Sequence, residues 1–130
     1  MNNKVSIIIP NFNRAHLISD TLESIVAQDY KNWECIIIDD HSTDKSIQVI
    51  KDFIGRDIRF KVVKRPEHKP KGANSCRNYG FELSNGELIQ WFDSDDIMTP
   101  DQLQILVDAI SENEVDFAVG ESMNFKEGKG

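Results

Sequence analysis

The sequence predicts a doubly wound α/β domain: a mostly parallel sheet with helices on both faces. Three observations carry that expectation. Apolar spacing alternates along the chain between short continuous runs and helical periodicity. The continuous runs are rich in Ile and Val, as in strands buried on both faces of a parallel sheet. The runs at 4–10, 34–40 and 88–92 each give way to a polar cluster, and such sheets bind ligands beyond the carboxyl ends of their strands.

The elements follow in order. "KVSIIIP" at 4–10 is a β-branched run stopped by Pro10. "HLISDTLESIVAQ" at 16–28 puts Leu17, Ile18, Leu22, Ile25 and Val26 on one helical face. "ECIIIDD" at 34–40 is a second strand, and "KSIQVIKDFI" at 45–54 a second helix. "RFKVVKR" at 59–65 is a third strand candidate. "PEHKPKGANS" at 66–75 reads as a loop, and a helix follows from near Ala73 to a close near Asn85-Gly86. "ELIQWFD" is the fourth strand. In "TPDQLQILVDAI", Thr99 is the expected N-cap, Pro100 the first helical residue, and Gln102 completes a capping box. "DFAVGES" at 116–122 is a fifth strand candidate, and 126–130 reads as a frayed tail.

The bulk properties narrow the function. A chain of 130 residues fits one domain with its own core. The net charge of −7 argues against a nucleic-acid partner, which needs a basic surface. Cys35 and Cys76 form no CxxC pair, and the His residues at 16, 41 and 68 have no metal-ligand spacing. Reduced thiols suit a cytoplasmic chain. The first apolar run is too short for a signal peptide, and no run is long enough for a membrane helix.

In a parallel sheet the three strand ends share one edge. They are "PNFNR" (Pro10 to Arg14), "DDHSTD" (Asp39 to Asp44) and "DSDD" (Asp93 to Asp96). That edge carries up to six carboxylates, with few basic residues expected to be fixed beside them. A hard divalent cation, with a diphosphate as its companion, is the simplest relief for so much negative charge. Each motif has a plainer reading. A DxD string is common on solvated surfaces. "DDHSTD" can cap a helix. Phe12 can be core or a platform for a base. The Lys64, Arg65, Lys69, Lys71 loop can be solvated. Their order along one edge is what favours a ligand site.

Taken together, "VSIIIPNFNR", "CIIIDDHSTD", "GANSCRNYG", "NGELIQWFDSDD" and "TPDQL" resemble the family 2 glycosyltransferases over nearly the whole chain. The resemblance implies a GT-A, Rossmann-like fold. It implies transfer of a sugar from a nucleotide diphosphate donor, usually a UDP-sugar, to an acceptor hydroxyl with inversion, using Mn²⁺ or Mg²⁺. Pro10, Asn11 and Phe12 match the nucleoside-holding segment, with Arg14 close behind. Asp39 and Asp40 match the acidic pair that contacts base or ribose, with Asp40 preferred. Asp95 matches the metal ligand, and Asp93 faces the ribose and the metal's waters. Arg77 and Asn78 match an Arg-Asn pair placed near the diphosphate.

Two departures stand out. His41 replaces the glycine usual after the acidic pair. The family's members are also longer, and their acceptor surface and carboxylate base come from the second half. Residues 1–125 are therefore expected to be the donor-binding part of a truncated GT-A domain. The base and the saccharide or lipid-linked acceptor are expected to involve chain beyond Gly130. Self-association through an open sheet edge is expected, and so is a place at the inner membrane face in the longer protein. The rival readings are a non-catalytic nucleotide-sugar binding module and a receiver-type phosphoacceptor domain. The receiver fits poorly, because its acidic pair follows the first strand. A sugar-nucleotide pyrophosphorylase is set aside because "PNFNRAH" lacks glycine.

Overall fold

A computed structural model describes residues 3–113 and 123–125. Strands and helices alternate as β1 Val5–Asn11, α1 Ile18–Val26, β2 Trp33–Asp39, α2 Ser46–Arg56, β3 Phe60–Lys64, α3 Ala73–Leu83, β4 Leu88–Trp91, α4 Gln102–Asn113 and β5 Met123–Phe125. The sheet order is β3-β2-β1-β4-β5. The first four strands are mutually parallel, and β5 runs antiparallel to β4. The sheet is therefore mostly parallel, with the chain reversing direction across it between β1 and β4. A receiver has the order 2-1-3-4-5, so this topology excludes that reading.

The Ile runs form strands because both faces of the sheet are covered. Ile7, Ile9, Cys35 and Ile37 point into the larger core, against Ile18, Leu22 and Ile25 of α1, Ile50 and Phe53 of α2, and Leu103, Val107 and Ile110 of α4. Ile8, Ile36, Ile38 and Ile89 point the other way, against Cys76 of α3. Each side chain so buried contributes about 1.5–3 kcal/mol relative to exposure. Gly80 is what lets α3 lie this close: a Cβ there would stand 2.6 Å from both Ile8 and Ile38.

Two expectations change, and one falls on residues not described. α4 begins at Gln102, three residues past the expected N-cap Thr99. Pro100 lies in the preceding turn, and the Gln102 side chain reaches Gln90 Oε1 at 3.4 Å instead of turning back to Thr99. The strand candidate at 116–122 and the tail at 126–130 lie outside the described residues; the strand observed is β5. Gly86 does not close α3 with a left-handed turn. It is needed because a Cβ would meet Lys4 O at 2.6 Å and Ser6 N at 2.8 Å. Its N–H donates to Ser6 Oγ at 2.7 Å, and Ser6 Oγ donates in turn to the buried Glu34.

Candidate functional site

The ends of β1 and β4 flank the switch point of the sheet, where a doubly wound fold leaves a crevice. The loops after β1 and β2 are joined across it. Asp39, fully buried, accepts from Asn11 Nδ2 at 3.0 Å, Ser42 N at 2.8 Å and Ser42 Oγ at 2.6 Å. Asn13 sits in the left-handed region at φ 52°, and its Oδ1 accepts from Thr43 N at 2.8 Å and Asp44 N at 3.2 Å. Asp44 accepts from Ala15 N at 3.0 Å and from the N–H and hydroxyl of Ser46. His41 takes the turn at φ 60°, a region where His is less costly than most side chains, and its Nε2–H donates to Arg65 O at 2.8 Å. The turn that glycine would make freely is kept by a histidine with a hydrogen bond.

Asp40 is the second buried carboxylate, 5% exposed. It accepts from Arg65 Nε at 2.5 Å and from Gly72 N at 3.0 Å, with Lys71 Nζ 3.8 Å away. Burial pushes its carboxyl up, and the Arg65 hydrogen bond, the Gly72 N–H and the Lys71 charge more than offset that, so it titrates below the ordinary range. Arg65 is itself held by the carbonyls of Pro66 and Lys69. The Lys71 ammonium also lies over the Phe12 ring, 4.1 Å from its centre. Phe12 is 41% exposed, so it is not core.

The acidic loop after β4 is fastened from below by α1 and the residues just past it. Thr21 Oγ1 donates to Ser94 O at 3.0 Å, Ser24 Oγ accepts from Met98 N at 3.0 Å, and Gln28 bonds Thr99 O and Leu103 N. Ser94 is buried by this, while Asp93, Asp95 and Asp96 stay exposed. Each offers an oxygen within 4.8 Å of the others. Burial, then the Asp93 and Asp95 charges, raise the Asp96 carboxyl. An all-oxygen donor set of this span fits a hard cation such as Mn²⁺ or Mg²⁺.

Cations also lie close to the acidic loop, though more loosely than Arg65 holds Asp40. Arg14 Nε lies 4.0 Å from Asp95, and Arg77 NH2 lies 3.4 Å from Asp93. A cavity of about 290 Å³ opens between these groups, lined by Pro10, Asn11, Phe12, Arg14, Asp40, Ala73, Cys76, Arg77, Asp93, Ser94 and Asp95. Burial raises the Cys76 thiol at its wall to about 11. A second cavity, of about 520 Å³, shares Arg77 and Asp93 and is bordered by Gln90, Trp91 and Ile97.

Most of the candidate residues therefore meet around one space. Asp39 and Asn78 do not line it. Asp39 is consumed by the β1–β2 junction, and Asn78 is exposed one step round α3 from Arg77. Three supports of the site have no assigned role in the sequence reading: Arg65, part of a basic loop left open between solvent and ligand but 8% exposed; Asn13; and the Thr21, Ser24, Gln28 stripe. That stripe was legible, since its spacing places three polar residues on one helical face beside the apolar one.

The sequence model of the family described as Glycosyl transferase family 2 matches residues 6–130. Glycosyltransferase GlyA of Streptococcus pneumoniae is 32% identical over 130 residues, covering 100% of this chain and 18% of its own length. The chain spans less than half the length of this and other curated relatives. The crystal structure of S. aureus TarS 1-349 in complex with UDP superposes with a TM-score of 0.79 at 28% identity, covering 87% of this chain and 33% of that one. The mannosyltransferase PcManGT of Pyrobaculum calidifontis, in complex with GDP-Man and Mn²⁺, gives 0.66 at 25% identity over 73% of this chain and 28% of that one. With the family match running from β1 through the acidic loop, this chain belongs to glycosyl transferase family 2.

Proposed function

We propose that this chain is the donor-binding part of an inverting glycosyltransferase that uses a UDP-sugar and a divalent cation. One observation carries the reading. The 290 Å³ cavity gathers an exposed aromatic face, two guanidiniums and two open carboxylates at the switch point of the sheet. A nucleoside diphosphate has a matching order of groups. The base stacks on Phe12, the ribose lies towards Asp40 and Asp93, and the diphosphate reaches Arg14 and Arg77. The donor sugar extends towards the larger cavity beside Trp91 and Gln90.

Asp95, with Asp93, would hold Mn²⁺ or Mg²⁺, whose charge neutralises the leaving diphosphate. The chain's own residues bind and orient. Phe12 fixes the base plane, Asp40 is kept ionised by Arg65, and the α1 supports hold the acidic loop in place. Transfer also needs a base for the acceptor hydroxyl. We place that base, and the acceptor site, outside these 130 residues. Work at the cytoplasmic face of a membrane belongs to the same proposal.

Titration calorimetry with UDP tests it. Heat should appear with Mn²⁺ and largely vanish with EDTA. Asp95→Ala should remove the metal dependence. Phe12→Ala should weaken UDP while sparing the effect of Mn²⁺ on pyrophosphate binding. Equal binding of UDP in EDTA would sink the metal's role, and tighter binding of GDP than UDP would sink the choice of base.

A further inference from the structure

We propose that Arg14 and Arg77 are exchange cations: they pair with Asp95 and Asp93 and turn to the diphosphate when a divalent cation takes those carboxylates. The inference rests on the reading that this site takes a nucleoside diphosphate with a metal. Its own basis is a contrast among the carboxylates that line the cavity. Asp40 is locked, with Arg65 at 2.5 Å and both partners under a tenth exposed. Asp95 and Asp93 have looser partners, at 4.0 and 3.4 Å, with side chains 34–57% exposed. Long, solvent-exposed pairs of this kind are weak and readily exchanged.

Each arginine has a second anchor that does not depend on the carboxylate. Arg14 NH1 reaches the carbonyls of Phe12 and Asn13 at 3.4 and 3.5 Å. Arg77 NH1 donates to Asn74 Oδ1 at 3.0 Å. A guanidinium that loses its carboxylate therefore stays at the cavity wall. A divalent cation on Asp95 and Asp93 competes with both guanidiniums and repels them at this range. A diphosphate supplies the anionic oxygens that replace the lost partners, and Arg suits them by its fork of donors. The arginines thus oppose metal alone and favour metal with diphosphate. Coupling of this kind is reciprocal: Mn²⁺ tightens UDP by the same factor as UDP tightens Mn²⁺.

The test measures free Mn²⁺ by electron paramagnetic resonance, with and without UDP, for the wild type, Arg14→Met, Arg77→Met and the double variant. Arg56→Met is the control, since Arg56 lies on α2 and pairs with Glu23. Removing both exchange cations should tighten Mn²⁺ alone by about two- to fivefold, the scale of two exposed pairs. It should also cut the UDP-induced gain in Mn²⁺ affinity by a similar factor or more. Lysine at both positions should restore part of that gain, because the charge returns. Unchanged or weaker Mn²⁺ binding in the double variant overturns the proposal, and so does an unaltered gain from UDP. A control that tightens Mn²⁺ as much as the double variant overturns it too, by assigning the effect to net charge. If the wild type binds no Mn²⁺ even with UDP, the functional reading fails and takes this inference with it. If the wild type binds both and the variants match it, only the exchange fails.

Discussion

Replacing Gln28 with methionine should loosen the acidic loop without touching it. Gln28 is fully buried. Its Nε2 donates to Thr99 O at 2.6 Å and Ser24 O at 3.3 Å, and its Oε1 accepts from Leu103 N at 3.1 Å. Methionine keeps the volume and removes every polar atom. Leu103 N–H, inside the first turn of α4, is then left buried without that partner, at a cost of about 1–3 kcal/mol. Thr99 lies in an exposed residue, so water can take over its carbonyl and that loss is nearer 0.5–1 kcal/mol. The sum is about 1.5–4 kcal/mol, and for a chain of this size each kcal/mol lowers Tm by roughly 3–4 °C. Urea unfolding and calorimetry should both read it, with the midpoint moved and the slope unchanged. Mn²⁺ affinity should fall in parallel, because the same bonds hold the segment that follows Asp96. Gln104→Met makes the same chemical change on the exposed side of α4 and should stay within about 0.5 kcal/mol. A Gln28→Met protein as stable as the Gln104→Met control would refute the claim that this side chain secures the loop.

Thr21→Val removes a single bond to Ser94 O and should cost about 1 kcal/mol in the same unfolding assay. Gly86→Ala should destabilise more than Gly80→Ala, since its Cβ meets backbone atoms whereas that of Gly80 meets side-chain methyls; comparable unfolding midpoints would contradict this. Glu34 is pushed up by burial, but the Ser6 hydroxyl, the Asn85 N–H and the Lys4 and Lys61 charges more than offset that, leaving its carboxyl below the ordinary 4.5. Its folded value is depressed, so its stabilisation is present above the unfolded value and is lost as pH falls through the folded one. Glu34→Gln should therefore flatten the acid limb of a Tm-against-pH curve, and an unchanged limb would place the acid sensitivity elsewhere. Light scattering of the chain should show self-association through the exposed β3 edge, and Val63→Lys should reduce it; a monomer at every concentration would remove that expectation.

The parts of the fold legible in the sequence are those whose signal is local. β1 and β2 read correctly because Ile7 to Ile9 and Ile36 to Ile38 are buried whichever face they take. α1 read correctly because Ile18, Leu22 and Ile25 keep helical spacing. The start of α4 did not, because Thr99, Pro100 and Gln102 form a good capping pattern, yet the chain there is held by Gln28 and the helix begins later. The antiparallel β5 was not legible either, since three residues carry no period and their direction depends on the path of the chain. The residues that meet at the cavity were legible as a set, whereas the structural work of Asp39 was not. Asp39 and Asp40 are adjacent and identical, but the strand pleat sends one into the β1–β2 junction and the other to the cavity.

That separation answers why so many carboxylates can share one sheet edge. Six of them sit there, and hydrogen bonds sort them into two groups. Asp39, Asp40 and Asp44 each accept at least two bonds from within the chain. Their charge is spent holding the β1, β2 and β3 loops in register, and removing any one would orphan its donors. Asp93, Asp95 and Asp96 remain exposed, and among the described residues two of them have only long contacts, to Arg14 and Arg77. The first group makes the crevice rigid. The second leaves it with negative charge that nothing among the described residues fully neutralises. A site arranged this way gains from an incoming cation only at the second group. Asp39→Asn should therefore show itself mainly as lost stability, with Mn²⁺ affinity per folded molecule little changed. Asp95→Asn should do the reverse, lowering Mn²⁺ affinity at unchanged Tm. Paired calorimetric and Mn²⁺ titrations on the two variants decide it: if both lose stability and metal together, the two groups of carboxylates are one network and the division drawn from their hydrogen bonds is wrong.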